Sequence, residues 1–323
     1  AIVCLINQLK NGNQRQTTFS ARFKNFEKDE GEYMAAVVKE VNAEAFYTWP
    51  DEKSFVSEFQ KLCYFQEEPF GSTSIFAQWE VMKLAKANNV TVLLDGQGAD
   101  EQLAGYYFYF NDYYRNLKKT NSSLFRNELS SYKINYGVDW NKPFVKMIQN
   151  EYPKVYQKYR SVKDFFEINQ IDDYLNKQFL KRWRTKRKPV ILFNTLKESL
   201  IHSLTKGGLQ ELLRYADRNS MAHSREVRLP FLDHRLVEFV LSLPDQHLIY
   251  SGYSKYVMRN ALHNLLPAKI TWRKDKVGFE PPQSKWQKSF SEIKLNGLNN
   301  KYFDIEIYKI PFKISIEALF SRY

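Results

Sequence analysis

Apolar and polar positions over the first hundred residues switch repeatedly between helical and strand spacing. Residues 1–10 (AIVCLINQLK) have no cap or turn residue ahead of them and predict a helix already under way. Residues 17–23 (TTFSARF) predict a strand. Asp29 and Glu30 then open a helix in which Tyr33, Val37 and Val41 recur at every fourth position. The segment 45–49 (AFYTW) predicts a second strand, and a helical stretch to about residue 63 follows. Ser72, Thr73 and Ser74 form an N-cap cluster for a helix reaching about Asn88. The run at 90–94 (VTVLL) is short, β-branched and continuously apolar, the pattern of a buried parallel strand. Such alternation predicts an α/β fold, a parallel sheet with right-handed helical crossovers.

Beyond residue 106 the pattern changes. From 107 to 200 glycine almost vanishes, and tyrosine, phenylalanine, lysine and asparagine crowd in without strict alternation. This predicts helices in an inserted, lid-like helical subdomain whose aromatics form core. Residues 201–267 are predicted helical as well. There Asp233 caps a segment with Leu236, Val237, Val240, Leu241 and Leu243 on one apolar stripe. Residues 270–282 are rich in loop formers, and 291–323 form a lysine- and isoleucine-rich tail. The expected division is therefore an α/β part over 1–106, a helical insert over 107–200, a helical part over 201–290, and the tail.

Composition narrows the class. Hydrophobic residues are 43% and charged residues 26% of the 323, as in soluble globular proteins. No run approaches the roughly 18 apolar residues of a membrane span, and no signal-peptide pattern opens the chain. Two cysteines, Cys4 and Cys63, argue against a disulfide scaffold and fit a reducing cytoplasm. None of the five histidines stands at zinc-ligand spacing. A net charge of +12 suits nucleic acid, anionic membranes or polyanionic small substrates such as ATP. The densest basic run, KRWRTKRK at 181–188, lacks any nucleic-acid motif around it and is read as a solvated helical face. Neither a nucleic-acid nor a membrane partner is expected.

Chemistry concentrates in three segments. In the first, 95–106 (DGQGADEQLAGY), the predicted strand empties into a loop, and α/β folds hold ligands at such strand ends. Gly96 and Gly98 let the backbone approach a nucleotide closely, and Asp100 and Glu101 are hard oxygen donors of the kind Mg²⁺ takes beside phosphates. The second segment is 215–233 (YADRNSMAHSREVRLPFLD). In the third, 272–282, Lys276 precedes Gly278, Phe279 and a double proline. No G-x-x-x-x-G-K-[ST] exists, which excludes a Walker-type ATPase, and the glycine spacing of the first loop fits a dinucleotide fold poorly.

Together these motifs resemble the asparagine synthetase family, specifically its C-terminal synthetase domain with the ATP-pyrophosphatase fold. The resemblance rests on Asp95-Gly96-Gln97-Gly98-Ala99-Asp100-Glu101 followed by Gly105-Tyr106, on EVRLPFLD from Glu226 to Asp233, and on KVGF from Lys276 to Phe279. It covers most of 1–290 and is weakest across 111–200. What it implies is a two-step reaction: a carboxylate attacks the α-phosphorus of ATP, then ammonia from glutamine displaces AMP. By the family pattern Asp100 holds Mg²⁺ and pyrophosphate, and Lys276 stabilises charge at the α-phosphate. Ala21, Asp95, Gly96 and Gln97 face the nucleotide; Glu101, Tyr106 and Glu226 surround the acceptor and the amine. Tyr106 equally suits a core position, and Glu226 with Arg228 an internal ion pair. The expected partners are ATP, aspartate, ammonia, a glutaminase domain upstream and a second copy of the chain.

Two departures stand out. The family's Ser-Gly-Gly-x-Asp-Ser loop is absent, residues 1–9 resembling the helix that follows it, so the chain is expected to be a fragment incomplete for turnover. Gln97 stands where asparagine-forming members commonly carry Glu. It keeps open other acceptors, as in β-lactam synthetases or sugar-carboxylate amidotransferases. A non-catalytic nucleotide-binding module is the remaining alternative.

Overall fold

In the first parallel strand pair, β1 (Thr17–Ala21) and β2 (Glu44–Thr48) align from Thr17 opposite Glu44 to Ala21 opposite Thr48, with α2 (Gly31–Val41) as the crossover. The computed structural model describes residues 1–10, 15–68, 70–140, 191, 193–275 and 277–290, with side chains through 286. Phe19 and Phe46 stack across the pair, their rings 5.6 Å apart. β1 stops at Ala21 because Asp29 Oδ1 accepts the Phe23 N–H at 2.8 Å and draws the chain into a turn. β2 stops before Pro50, which has no N–H to give a ladder. α1 (Ile2–Leu9) precedes the pair, and Cys4 is buried with Val41 and Ala43.

After α3 (Glu52–Gln66) and α4 (Ser74–Ala87, with Thr73 as N-cap) comes β3 (Val92–Leu94). Its parallel partner is β4 (Glu226–Arg228), in a stretch expected to be helical. The strand has three residues between a helix and Pro230, too few to display a period. What makes it a strand is the edge of β3: Glu226 N–H donates to Thr91 O at 2.8 Å, and Asp95 N–H donates to Arg228 O at 3.0 Å. The continuous burial expected of β3 is also corrected. Val92 is 40% and Leu94 46% exposed, since β4 is the one strand paired with β3 among the described residues. The result is a mixed α/β architecture with small parallel sheets.

Next are α5 (Ala99–Gln102), α6 (Tyr107–Thr120), α7 (Ser122–Tyr136), α8 (Leu196–Thr205) and α9 (Gly208–Ala222). Past β4 lie a 3-10 turn (Pro230–Leu232), α10 (His234–Ser242) and α11 (Asp245–Leu248). An antiparallel hairpin follows, β5 (Ile249–Tyr250) with β6 (Tyr253–Ser254), again where helix was expected. Then come α12 (Tyr256–Leu262), α13 (Ala268–Thr271) and α14 (Gln283–Phe290). Asp233 does cap α10, its Oδ1 accepting the Arg235 N–H at 3.0 Å.

The described residues fall into two compact units. The first comprises Ala1–Phe55, Thr73–Trp140 and Phe193–Pro282, and the second includes Val56–Ser72 and residues 283–290. In the second, the Phe59 and Phe70 rings meet edge to face at 6.2 Å. The first holds the main core, where the aromatic crowding is spent on packing. Tyr109, Phe110, Tyr113 and Tyr114 of α6 are buried with Leu196 and Leu200 of α8, Leu248 and Ile249. Ala99, Leu103 and Ala104 belong to the same cluster, so the loop between β3 and α6 rests on a rigid floor. The basic run 181–188 and the tail 291–323 lie outside the described residues. No helix among those described is long and apolar enough to cross a membrane.

Candidate active site

The loop 95–106 leaves the sheet where β3 and β4 end, and its two glycines do different work. Gly98 has φ +90°, and a Cβ there would stand 2.2 Å from Leu232 Cδ2. Gly96 faces open space, with nothing within 4 Å of an added Cβ. Gly98 is therefore a conformational requirement, and Gly96 leaves room for approach. Gln102, fully buried, donates from Nε2 to Phe231 O. Through these contacts the loop is seated on the turn Pro230–Leu232, which brings two of the three sequence motifs into one packed unit. Gly98→Ala is expected to cost about 1–3 kcal/mol, from left-handed backbone strain plus displacement of Leu232, as read by chemical denaturation.

At the end of α5, Ala104 adopts a left-handed conformation (φ 56°) and Gly105 N–H donates to Asp100 O at 2.8 Å. The chain thereby folds back on itself, and a Cβ on Gly105 would fall 1.9 Å from Asp100 Oδ1. That carboxylate pairs with Lys255 Nζ at 2.6 Å, each side chain about one-fifth exposed. Lys255 is anchored in turn, its backbone N–H donating to Leu103 O at 3.1 Å. Sequence reasoning missed Lys255. Only its charge marks it in the sequence, since the two-residue strands of the hairpin before it show no period.

Glu101 points the other way, into the core, and is 3% exposed. Tyr106 Oη donates to Glu101 Oε1 at 2.7 Å, and Tyr109 Oη donates to the Glu101 carbonyl at 3.4 Å. Burial, then the Glu101 carboxylate, push the Tyr106 hydroxyl far above its ordinary range, so it stays a donor. Glu101 and Tyr106 are thus brought together. Glu226 stands apart from them, pairing with Arg228 across β4 at 2.7 Å, with both side chains more than half exposed. Val227, between them, lines a cavity instead.

That cavity, about 330 Å³, takes Ser20 and Ala21 from the end of β1, Leu93 and Leu94 from β3, and Asp95 and Gln97 from the loop. Met34, Gln78 and Phe279 complete its wall. Three of the four residues expected at the nucleotide, Ala21, Asp95 and Gln97, therefore meet in one place. Burial pushes the Asp95 carboxyl up, partly offset by the N–H groups of Gly96 and Gln97. A second cavity of about 250 Å³ is basic, lined by Gly105, Lys255, Arg259, Arg273 and Lys274 along with Tyr107, Asp275 and Val277. Lys276 lies outside the described residues, although its neighbours Asp275 and Val277 line this second cavity. No group of three or more His, Cys, Asp or Glu side chains that could hold a metal occurs among the described residues. Mg²⁺ bound alongside phosphates needs only one or two carboxylates. Asp100, already engaged with a cation and packed on Gly105 at this cavity, fits that donor set.

The model of the asparagine synthase family matches residues 1–307. The chain belongs to the asparagine synthase family. Among curated relatives, "Asparagine synthetase [glutamine-hydrolyzing] 1" of Bacillus subtilis is 25% identical over 279 residues, which is 80% of this chain and 41% of that protein. The Gallus gallus asparagine synthetase is 38% identical over 108 residues, 32% of this chain and 19% of its own length. A further Bacillus subtilis protein, "Asparagine synthetase [glutamine-hydrolyzing] 3", is 44% identical over 66 residues, 20% of this chain and 11% of its length. The chain spans less than half the length of these relatives. As an asparagine synthase family member it carries the loop 95–106 and the turn at Pro230–Leu232 as one packed body, with the segment 269–280 contributing to both cavities.

Proposed function

We propose that this chain is the synthetase part of a glutamine-hydrolysing asparagine synthetase, an ATP-dependent, amide-forming ligase built on an ATP-pyrophosphatase-type sheet. The observation that carries the reading is the meeting of Ala21, Asp95 and Gln97 in a cavity at the ends of β1 and β3, with a basic cavity formed around Lys255 and Gly105. The first cavity would take the adenosine, where Gly96 leaves the backbone open. The second would take the phosphates, where Lys255 and Lys274 oppose negative charge.

In this reading a substrate carboxylate oxygen attacks the α-phosphorus of ATP. The bond to the bridging oxygen breaks, and pyrophosphate leaves with its electron pair. Ammonia then attacks the acyl carbon of the adenylate and AMP departs, one proton being released as the amide forms. Asp100 would hold Mg²⁺, which supplies charge neutralisation on the phosphates. Lys276 would stabilise charge developing at the α-phosphate. Glu101, fixed by Tyr106, would border the acceptor and the amine. Ammonia would come from a glutaminase domain on the same protein, in the cytoplasm.

The experiment is pyrophosphate release by the full-length protein with Mg-ATP, ammonia and a panel of carboxylates. Release that depends on aspartate, with asparagine as product, is expected. Silence with aspartate overturns the asparagine assignment. Gln97 supports a second reading: it places a neutral amide in the first cavity where asparagine-forming members commonly carry Glu, and release with a different carboxylate would identify that acceptor.

A further inference from the structure

The segment 269–280 is held to residues 28–32, at the start of α2, by a row of opposite charges contributed by distant parts of the sequence. Lys28 Nζ lies 2.8 Å from Glu280 Oε2, Glu30 Oε1 lies 2.5 Å from Arg273 Nη1, and Glu32 Oε2 lies 2.7 Å from Lys269 Nζ. Three consecutive even positions of residues 28–32 thus pair with three positions spanning the segment. They are not equivalent. Lys28 with Glu280 and Glu32 with Lys269 have side chains 43–84% exposed, where ion pairs hold little. Arg273 and Glu30 are 17% and 28% exposed. The Arg273 guanidinium also lies over the Tyr33 ring, 3.8 Å from its centroid, and donates to Asp275 Oδ2 from Nε at 3.0 Å and Nη2 at 2.7 Å. One planar cation is therefore stacked on an aromatic face and bonded to two carboxylates, a geometry a lysine could not reproduce.

The base of the segment is fixed separately. Arg259 donates to Ser254 O at 2.7 Å and to Thr271 O at 2.6 Å, and Trp272 meets Tyr253 edge on at 5.3 Å. At the other end, α2 is tied to β1. Asp29 accepts from Arg22 Nε, from Phe23 N–H and from Gly31 N–H, and Gly31 lacks the Cβ that would strike the Arg22 guanidinium. The first turn of α2 is thus braced against the strand that ends at Ala21, and presents Glu30 and Tyr33 to Arg273. Downstream of Arg273, Val277 lines the basic cavity and Phe279 the nucleotide cavity.

We infer that Glu30 and Tyr33 form a latch that positions the segment 269–280 by holding the Arg273 guanidinium. The latch itself stands on the geometry above. Its consequence for catalysis rests on the proposed role of Lys276.

Glu30→Gln in the full-length protein removes the charge while keeping volume and every tryptic site of the segment, at Lys269, Arg273, Lys274 and Lys276. Under native conditions, cleavage within the segment is expected to quicken about fivefold or more. The kcat for pyrophosphate release should fall about tenfold while KM for ATP moves less than about threefold, as for loss of positioning. Glu30→Asp should recover most of both. Glu32→Gln, which removes an exposed pair from the same turn, should leave both readouts within about twofold. Should Glu30→Gln lower the melting temperature too far for comparison, Tyr33→Leu tests the stacking half of the latch by the same readouts. Unchanged cleavage rates in Glu30→Gln and Tyr33→Leu overturn the latch, whatever happens to kcat. Faster cleavage with kcat unaltered upholds the latch and refutes the part given to this segment in the chemistry.

Discussion

Lys276→Ala is expected to abolish carboxylate-dependent pyrophosphate release, with kcat lower by about three orders of magnitude and KM for ATP little altered. Attack on the α-phosphorus spreads negative charge over oxygens that carry less of it in bound ATP, so a cation aimed there acts mainly on the transition state. Removal of one such donor typically costs about 10²–10³ in rate. A full charge aimed at the α-phosphate belongs at the upper end of that range. Lys276→Arg should not restore the rate, because a planar fork cannot replace a compact ammonium at a fixed point. The check is steady-state kinetics of both variants with ATP-binding measured alongside. A large rise in KM for ATP at unaltered kcat would make Lys276 a ground-state binding residue and remove it from the chemical step.

Asp100→Asn carries the second large effect, and it separates catalysis from folding. The side chain keeps its shape and its place against Gly105, but the carboxylate that pairs with Lys255 at 2.6 Å is gone. With both groups about one-fifth exposed, the stability loss should be modest, about 1–2 kcal/mol by chemical denaturation. Activity should fall about 10²–10³-fold, and the Mg²⁺ concentration for half-maximal rate should rise at least about tenfold. Asp100 pairs with Lys255 and, in the proposed reading, would also hold Mg²⁺. An unchanged Mg²⁺ dependence would reduce Asp100 to the lysine's counter-ion.

The α/β part of the chain, residues 1–106, is legible because most of its elements are long enough to show a period. α1, β1, α2, β2, α3 and α4 all stand within a few residues of their expected places. β4 and the β5–β6 hairpin were not, being two or three residues long and defined by hydrogen bonds to segments remote in sequence. The same cause hid part of the site. Asp100 was visible from its position after a strand, whereas Lys255 acquires meaning only when the hairpin delivers it to Asp100. Val227 lines the cavity at the ends of β1 and β3 through a strand too short to show its period, while its neighbour Glu226, singled out from the motif, turns outward to Arg228. Arg273 looked like one of many cations in a basic chain until Glu30 and Tyr33 closed around it from about 240 residues away.

The most direct test of carboxylate activation is the fate of its oxygen. Aspartate labelled with oxygen-18 in the side-chain carboxylate is turned over by the full-length protein with Mg-ATP and ammonia, and the AMP is analysed by mass spectrometry. Attack of the carboxylate on the α-phosphorus, followed by displacement at the acyl carbon, predicts one labelled oxygen in the phosphate of AMP. Unlabelled AMP, or label in inorganic phosphate, would contradict it.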